Sequence, residues 1–575
     1  VSVLLATSAR ADLTEPVLQE RATSYAQGAS AVQSRSTQAY LRHDTRKQRA
    51  KSVILFIADG NGVSSNYATR VWEGQQAGGF GDDHVLAHER MPHLALSKTY
   101  NINAQTPDSA STATAMNAGV KTMTRVLGVD GNARRGRCET LPGSVVTNFA
   151  ESAKALGKRV GVVSTARITH ATPASVYAHS VDRDFEAAVP DGCDTQTDIA
   201  SQLIDELLSP TPLVDIALGG GLRNFLPLPA VGDPPTGGIR EDGINLVHRF
   251  QEQGGAYASD RATFDALELD GQAPVLGLFN LSHMDYEIDR AARPTPQPSI
   301  LDMTIAAVRA LTAGNEEGYY LMVEGGRVDH ANHDGNLYRT ITDGVAYQEA
   351  VQWAMDNTDP EEVLIVSTAD HSHGLEFNGY CGRGSPIHGL CMGIDNNGVG
   401  HTGRPELGTD GLPYTVAGFM NGFGSVLAAG GPNEIVDGKR VPLTAERAEH
   451  PDYAQEAVVP LEREVHSATD VAVYARGPSA HLFDGTIEQN EIYHVMLHAL
   501  TVDDVVARGA QGVGLLAPEE QGEQGARPTT CSWTLAIATV AFVVGFGVSQ
   551  WCSRRGRKRR VVDAYQSLGA GKGAP

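Results

Sequence analysis

Four apolar runs of this chain end abruptly in residues that hold metals or move protons. Residues 51–60 read KSVILFIADG and end at Asp59; residues 159–173 read RVGVVSTARITHATP and carry Ser164, His170 and Thr172. Residues 319–333, YYLMVEGGRVDHANH, carry Glu324, Asp329 and His333, and residues 361–374, EEVLIVSTADHSHG, carry Asp370, His371 and His373. Asp329 and His333 are four apart, so one helical turn puts them on the same face. Adjacent Asp370 and His371 chelate one ion if the backbone turns there. Imidazole with carboxylate suits Zn²⁺, and carboxylate with hydroxyl and water suits Mg²⁺. One acid after a strand is usually a turn or a helix cap. Four such ends, three of them with histidine, point to a metal centre. His466, in EREVHSATDVAVYARGP, reads alone as structural. It gains weight because the other clusters leave one zinc a ligand short.

A nucleophile stands in TPDSASTATAMNAGVKT, residues 106–122. Pro107 and Asp108 precede a helical rhythm of small residues, which puts Ser109 in a first helical turn. Backbone N–H groups and the helix dipole favour an anion there. By itself the pair reads as an N-cap. Beside a metal cluster, a serine hydroxyl is activated to attack phosphorus. No GxSxG elbow occurs, which disfavours acyl transfer.

These residues need a scaffold. Near-continuous apolar runs fit strands buried on both faces of a large, mostly parallel sheet, and the amphipathic segments 144–156, 197–208 and 300–313 fit crossover helices. The reading is an α/β three-layer sandwich, with ligands gathered at the carboxyl ends of the strands.

The chain has 575 residues, 41% hydrophobic and 20% charged, with a formal charge of -22. This excludes disorder throughout and a polytopic membrane protein, and it disfavours a nucleic-acid binder. Six cysteines without a CxxC fit an oxidising compartment, Cys138–Cys193 and Cys381–Cys391 being the economical pairing. Residues 1–11 read as the remnant of a secretory signal and 12–50 as a polar arm. Residues 510–532 read as a stalk. Residues 533–551 are uncharged, edged by Trp533 and Trp551, and followed by SRRGRKRR. As a helix they span roughly 28 Å, enough for a single membrane crossing. That places residues 552–575 in the cytoplasm, residues 51–509 outside the plasma membrane, and the chain in the secretory pathway. Asn280 opens the one N-x-S/T sequon.

Taken in order, VILFIADG, TPDSASTATAM, VGVVSTARITHATPASVYAHSVDR, DIALGGG, LMVEGGRVDH, LIVSTADHSHG and EVHSATDVAVYARGP resemble the alkaline phosphatase family across residues 50–500, closest to its animal-type branch. The resemblance implies one zinc on Asp329, His333 and His466, and a second on Asp59, Asp370 and His371. It implies magnesium on Asp59, Thr172 and Glu324, with His170 in its outer shell. Ser109 would be the nucleophile and Arg183 the phosphate clamp, with Asp108 orienting the arginine and His330 and His373 behind the ligands. The implied reaction is hydrolysis of small phosphate monoesters at alkaline pH through a phosphoserine. Residues 375–460 resemble that branch's crown insertion. Tyr380 matches an arm residue of its homodimers. Asn280 and Thr295 stand where that branch has acids, which puts a calcium site in doubt. The rival readings are a related phosphodiesterase or sulfatase, disfavoured by Ser109 with Glu324 and Thr172, and a non-catalytic ectodomain.

Overall fold

The structure, a computed structural model, describes residues 49–230, 237–292, 297–398 and 400–509, the side chains of 291–292 and 503–509 excepted. Ten strands form the central sheet: β1 (Ser52–Ile57), β2 (His93–Lys98), β3 (Arg159–Arg167), β4 (Ile216–Gly220), β5 (Ala256–Ala258), β6 (Val275–Leu278), β7 (Tyr319–Glu324), β8 (Val363–Thr368), β9 (Val471–Arg476) and β10 (Gly485–Glu488). Their spatial order is β10-β2-β9-β8-β1-β7-β3-β4-β6-β5. All pairings are parallel except those of β9, which runs antiparallel to β2 and β8.

The strands form where the apolar runs are because both faces are covered. Every residue of β1, β7 and β8 is buried. Alternate side chains serve opposite layers. Val53, Leu55 and Ile57 pack with Phe149, Leu203 and Met496 on one face. Ile54 and Phe56 pack with Met303, Leu311, Tyr347 and Val351 on the other. Each such side chain contributes about 1.5–3 kcal/mol by burial.

The helices that matter here are α1 (Val63–Gln76), α2 (Ser109–Ala118), α3 (Phe149–Ala155), α4 (Ile199–Leu208), α5 (Ile300–Thr312), α6 (Arg327–His333), α7 (Leu337–Asn357) and α8 (Glu491–Gly509), alongside several short ones. The segments expected to cross over are α3, α4 and α5. Each begins at a polar cap that satisfies a free N–H: Asn148 and Ser299 in capping boxes with Glu151 and Asp302, and Asp198 alone. The register then brings the strand ends level. Ile57 lies opposite both Glu324 and Thr368, and Ser164 lies opposite Glu324.

Between residues 375 and 460 the chain leaves the main sheet. It builds a three-stranded sheet from Leu375–Phe377, Ala417–Gly422 and Ala457–Pro460, and a hairpin from Met392–Ile394 and His401–Pro405. Disulfides join Cys138 to Cys193 and Cys381 to Cys391, as the economical pairing had it. Among the described residues no helix is long and apolar enough to cross a membrane. The signal remnant, most of the arm, the stalk, the 533–551 span, the basic tail and Thr295 lie outside the described residues.

Candidate metal centre and active site

One edge of the sheet carries the site. Asp59 follows β1, Glu324 ends β7, and Asp370 and His371 follow β8. After β7 the chain turns at once into α6, whose seven residues hold Asp329 and His333. His466 comes from a two-residue ribbon, His466–Ser467 paired antiparallel with Ser372–His373, just ahead of β9. Gly60 permits this crowding. Its φ is +69°, and a Cβ there would meet His373 Nε2 at 2.5 Å.

Asp108 is the N-cap of α2, and its carboxylate accepts from Ala110 N–H at 3.4 Å, from Arg125 N–H at 2.9 Å and from the Ser111 hydroxyl at 2.7 Å. Its Oδ2 also accepts from Arg183 Nη1 at 3.1 Å. The cap and the catalytic reading of this segment thus fall on neighbouring residues. Asp108 caps, and Ser109 is left with its Oγ 3.3 Å from His371 Nε2. Arg183 Nη2 donates to His170 Nε2 at 2.9 Å. The hydrogen of that neutral imidazole is therefore on Nδ1, which is buried and has no partner.

Three groups of donors converge: Asp329, His333, His373 and His466; Asp59, Asp329 and His371; and Asp59, His170 and Glu324. In the first, His333 Nδ1–H donates to the Glu464 carbonyl at 2.5 Å and His466 Nδ1–H donates to the Pro107 carbonyl at 2.8 Å. Their Nε2 atoms face each other at 3.0 Å and each lies 3.4 Å from Asp329, an arrangement that suits a cation between them. In the second, His371 Nε2 lies 3.4 Å from Asp59 Oδ1; Asp370, outside the group, has its Oδ2 3.1 Å from the same nitrogen. Both carboxylate oxygens of Asp59, Thr172 Oγ1 and Glu324 Oε1 are buried and without a hydrogen-bond partner. Such orphans cost about 1–3 kcal/mol each, and more when charged. These donor sets fit divalent metals: imidazole with carboxylate on one side, carboxylate with hydroxyl on the other.

The electrostatics agree. Burial, then Asp370, Asp329 and Glu324 nearby, push the Asp59 carboxyl well up. Burial raises Glu324 to about 7, with the Ser164 hydroxyl pulling against it, and burial also raises Asp370. Burial works against Asp329 as well, but His333 and hydrogen bonds from His373 and His466 outweigh it and hold the carboxyl well below the usual range. Burial pushes His371 and His330 well down and His333 to about 4, leaving neutral ligand-type imidazoles. His373 differs. Burial opposes its charge, yet Glu464 and Asp329 hold it up near 10, and it is a donor at both nitrogens. His330 meets His170 edge-on and His283 at a tilt, with ring centroids 5.6 and 4.0 Å away.

Eight of the fourteen site residues picked from the sequence, Asp108, Ser109, His170, Arg183, Asp329, His330, His333 and His466, line one open cavity of about 550 Å³, with Arg125 and Arg463 at its sides; Asp59, Thr172, Glu324, Asp370, His371 and His373 are not part of that lining. Sequence reasoning missed Glu464, which accepts from His373 and from Gly374 N–H at 2.6 Å. It also missed Thr112, which donates to Asp370 Oδ2 at 3.1 Å, and the Arg167–Glu186 pair beside His283. The proximity of Glu464 to His466 was the only signal for it.

A doubly covered parallel sheet with cation-demanding carboxylates and imidazoles at its strand ends, and a serine at a helix start among them, defines a metal-dependent hydrolase. The alkaline phosphatase family model matches residues 50–502, and the chain belongs to that family. It is 38% identical over 471 residues to the tissue-nonspecific alkaline phosphatase of Gallus gallus, covering 79% of this chain and 85% of that protein. The human tissue-nonspecific isozyme is 36% identical over 470 residues, covering 79% and 84%. The solved alkaline phosphatase of Thermus thermophilus has a TM-score of 0.55 at 21% identity, covering 79% of this chain and 92% of its own. That of the Antarctic bacterium TAB5 has 0.52 at 20%, covering 79% and 99%. These two likenesses show the fold. The chain is thus an enzyme that hydrolyses phosphate monoesters, and metal dependence comes with the family.

Proposed function

We propose that this enzyme works through a phosphoserine on Ser109, with two zinc ions and one magnesium ion, at basic pH and on many alcohol and phenol phosphates. Asp329, His333 and His466 would hold one zinc, and Asp59, Asp370 and His371 the other. Asp59, Thr172 and Glu324 would hold magnesium, with the Nδ1–H of His170 facing its outer shell. Bound metals supply Lewis-acid charge that favours ionised oxygens and offsets the charge of phosphate.

The protein's own groups do the rest. Ser109 Oγ, as the alkoxide, attacks phosphorus; the Oγ–P bond forms, the P–O bond to the alcohol breaks, and the alcohol leaves with a proton. Water then attacks the phosphoserine, the Oγ–P bond breaks, and phosphate leaves. Arg183 holds two phosphate oxygens with its planar fork, fixed by Asp108. The N–H groups at the start of α2 add positive potential where charge gathers. Both attacking oxygens act deprotonated, so the rate rises with pH. A site that reads mainly the phosphoryl group through an open cavity tolerates varied leaving groups. Tyr380, 94% exposed, is the candidate contact of a homodimer.

The observation that carries this reading is Ser109 Oγ at 3.3 Å from His371, amid buried carboxylate and hydroxyl oxygens that have no hydrogen-bond partner. The test is p-nitrophenyl phosphate hydrolysis across pH, with and without chelator, beside Ser109→Ala. Activity that rises into basic pH, vanishes on chelation, returns with zinc and magnesium, and is lost in the variant supports it. A Ser109→Ala enzyme as active as the parent refutes it.

A further inference from the structure

Glu464 is fully buried, and its contacts converge on one of the proposed zinc sites. Its backbone and that of the helix end form a two-way clasp. Glu464 N–H donates to the His333 carbonyl at 2.9 Å, while its own carbonyl accepts from His333 Nδ1–H at 2.5 Å. Its carboxylate accepts from His373 Nδ1–H and from Gly374 N–H. His373 in turn donates from Nε2 to Asp329 Oδ1 at 2.7 Å. Two residues on, His466 pairs across the ribbon with His373. The intervening Val465 N–H is held by Asn421 Oδ1 at 3.0 Å.

We infer that Glu464 is a positioning residue, which orients Asp329 (through His373) and His333 (directly) toward one zinc. The inference rests on the metal assignment above. A buried carboxylate is unfavourable unless donors meet it. Here two do, His373 Nδ1–H and Gly374 N–H, and both belong to the segment that follows His371 and braces Asp329. Groups of this kind, hydrogen-bonded behind a ligating histidine or carboxylate, fix ring orientation, and their loss typically costs 10–100-fold in metal affinity. In Glu464→Gln one acceptor oxygen becomes an NH₂, so either His373 or Gly374 meets a donor with a donor.

The experiment uses purified holoenzyme and follows zinc release into a chromogenic chelator. The phase missing in His466→Ala identifies the site. In Glu464→Gln that phase should quicken about 10–100-fold while the other zinc leaves at the parental rate, and excess zinc should restore monoester hydrolysis. A residue that only stabilises the fold would quicken both phases together, with no rescue by zinc. Either that result or unchanged release overturns the inference. If Glu464→Gln does not fold, Asn421→Ala carries the test, because it frees the same segment without touching the buried carboxylate. Faster release in the His466-dependent phase alone supports the role, and unchanged release overturns it. A wild-type enzyme with no His466-dependent zinc overturns the metal assignment, and this inference with it.

Discussion

Replacing Glu324 with glutamine should disable magnesium binding and yet stabilise the metal-free protein at basic pH. Glu324 is fully buried at the end of β7, and without a cation its carboxyl ionises near 7 instead of at its ordinary 4.5. A raised carboxyl contributes stability that is fully present below about 4.5 and lost as pH rises through about 7. At 1.36 kcal/mol per pH unit, the loss is about 3 kcal/mol once the group is ionised. Glutamine keeps the shape and an acceptor for Ser164 but never ionises. Asp59 and Asp370 are raised in both proteins, so most of their contribution cancels. Glu324 also pushes Asp59 up, so its removal widens the gap. The assay is thermal unfolding of both chelated proteins at about pH 5 and about pH 8.5. For a domain the size of residues 50–502, 1 kcal/mol shifts the midpoint by about 1 °C. The expected result is a variant melting about 3 °C higher at basic pH, no difference at acidic pH, and the order reversed once zinc and magnesium are added. A metal-free variant that melts no higher than the parent at basic pH refutes the claim that this carboxylate is held against its charge for a cation.

Arg183→Ala removes two charge-assisted hydrogen bonds to phosphate and should lower kcat/KM for p-nitrophenyl phosphate about a hundredfold or more, with only part regained in Arg183→Lys; steady-state kinetics at saturating metal check this. Gly60→Ala puts a methyl group against His373 in a left-handed backbone, and should cost about 1–3 kcal/mol together with zinc retention, read by denaturant unfolding and metal analysis. Opening Cys138–Cys193, which closes a loop of 55 residues, should cost about 4 kcal/mol, read as a lower denaturant midpoint for Cys138→Ala/Cys193→Ala; an unchanged midpoint contradicts it.

Much of the site was legible because each ligand segment carries its own local signal. Asp59, Glu324 and the Asp370–His371 pair stand where an apolar run stops, and Asp329 and His333 keep a helical interval. Ser109 showed itself as a helix start. His466 emerged only through a coordination count, since the ribbon that aims it pairs residues nearly a hundred positions apart. Glu464 was not legible. In EREVHS it looks like one more surface acid, and its burial comes from His333, His373 and Gly374 folding around it. The layered fold follows from runs buried on both faces, but strand order does not. Nothing local tells β9 to run antiparallel between β8 and β2, or exposes Leu94 and Leu96 on β2 while Ala95 is buried.

The central claim is a covalent phosphoryl group on Ser109. Metal-loaded enzyme mixed with p-nitrophenyl phosphate, quenched in acid and digested, should yield the peptide bearing Ser109 with one added phosphoryl group. That adduct should be absent from Ser109→Ala and from chelated enzyme. Steady turnover with no adduct on this peptide, or with the adduct on another residue, would contradict the account.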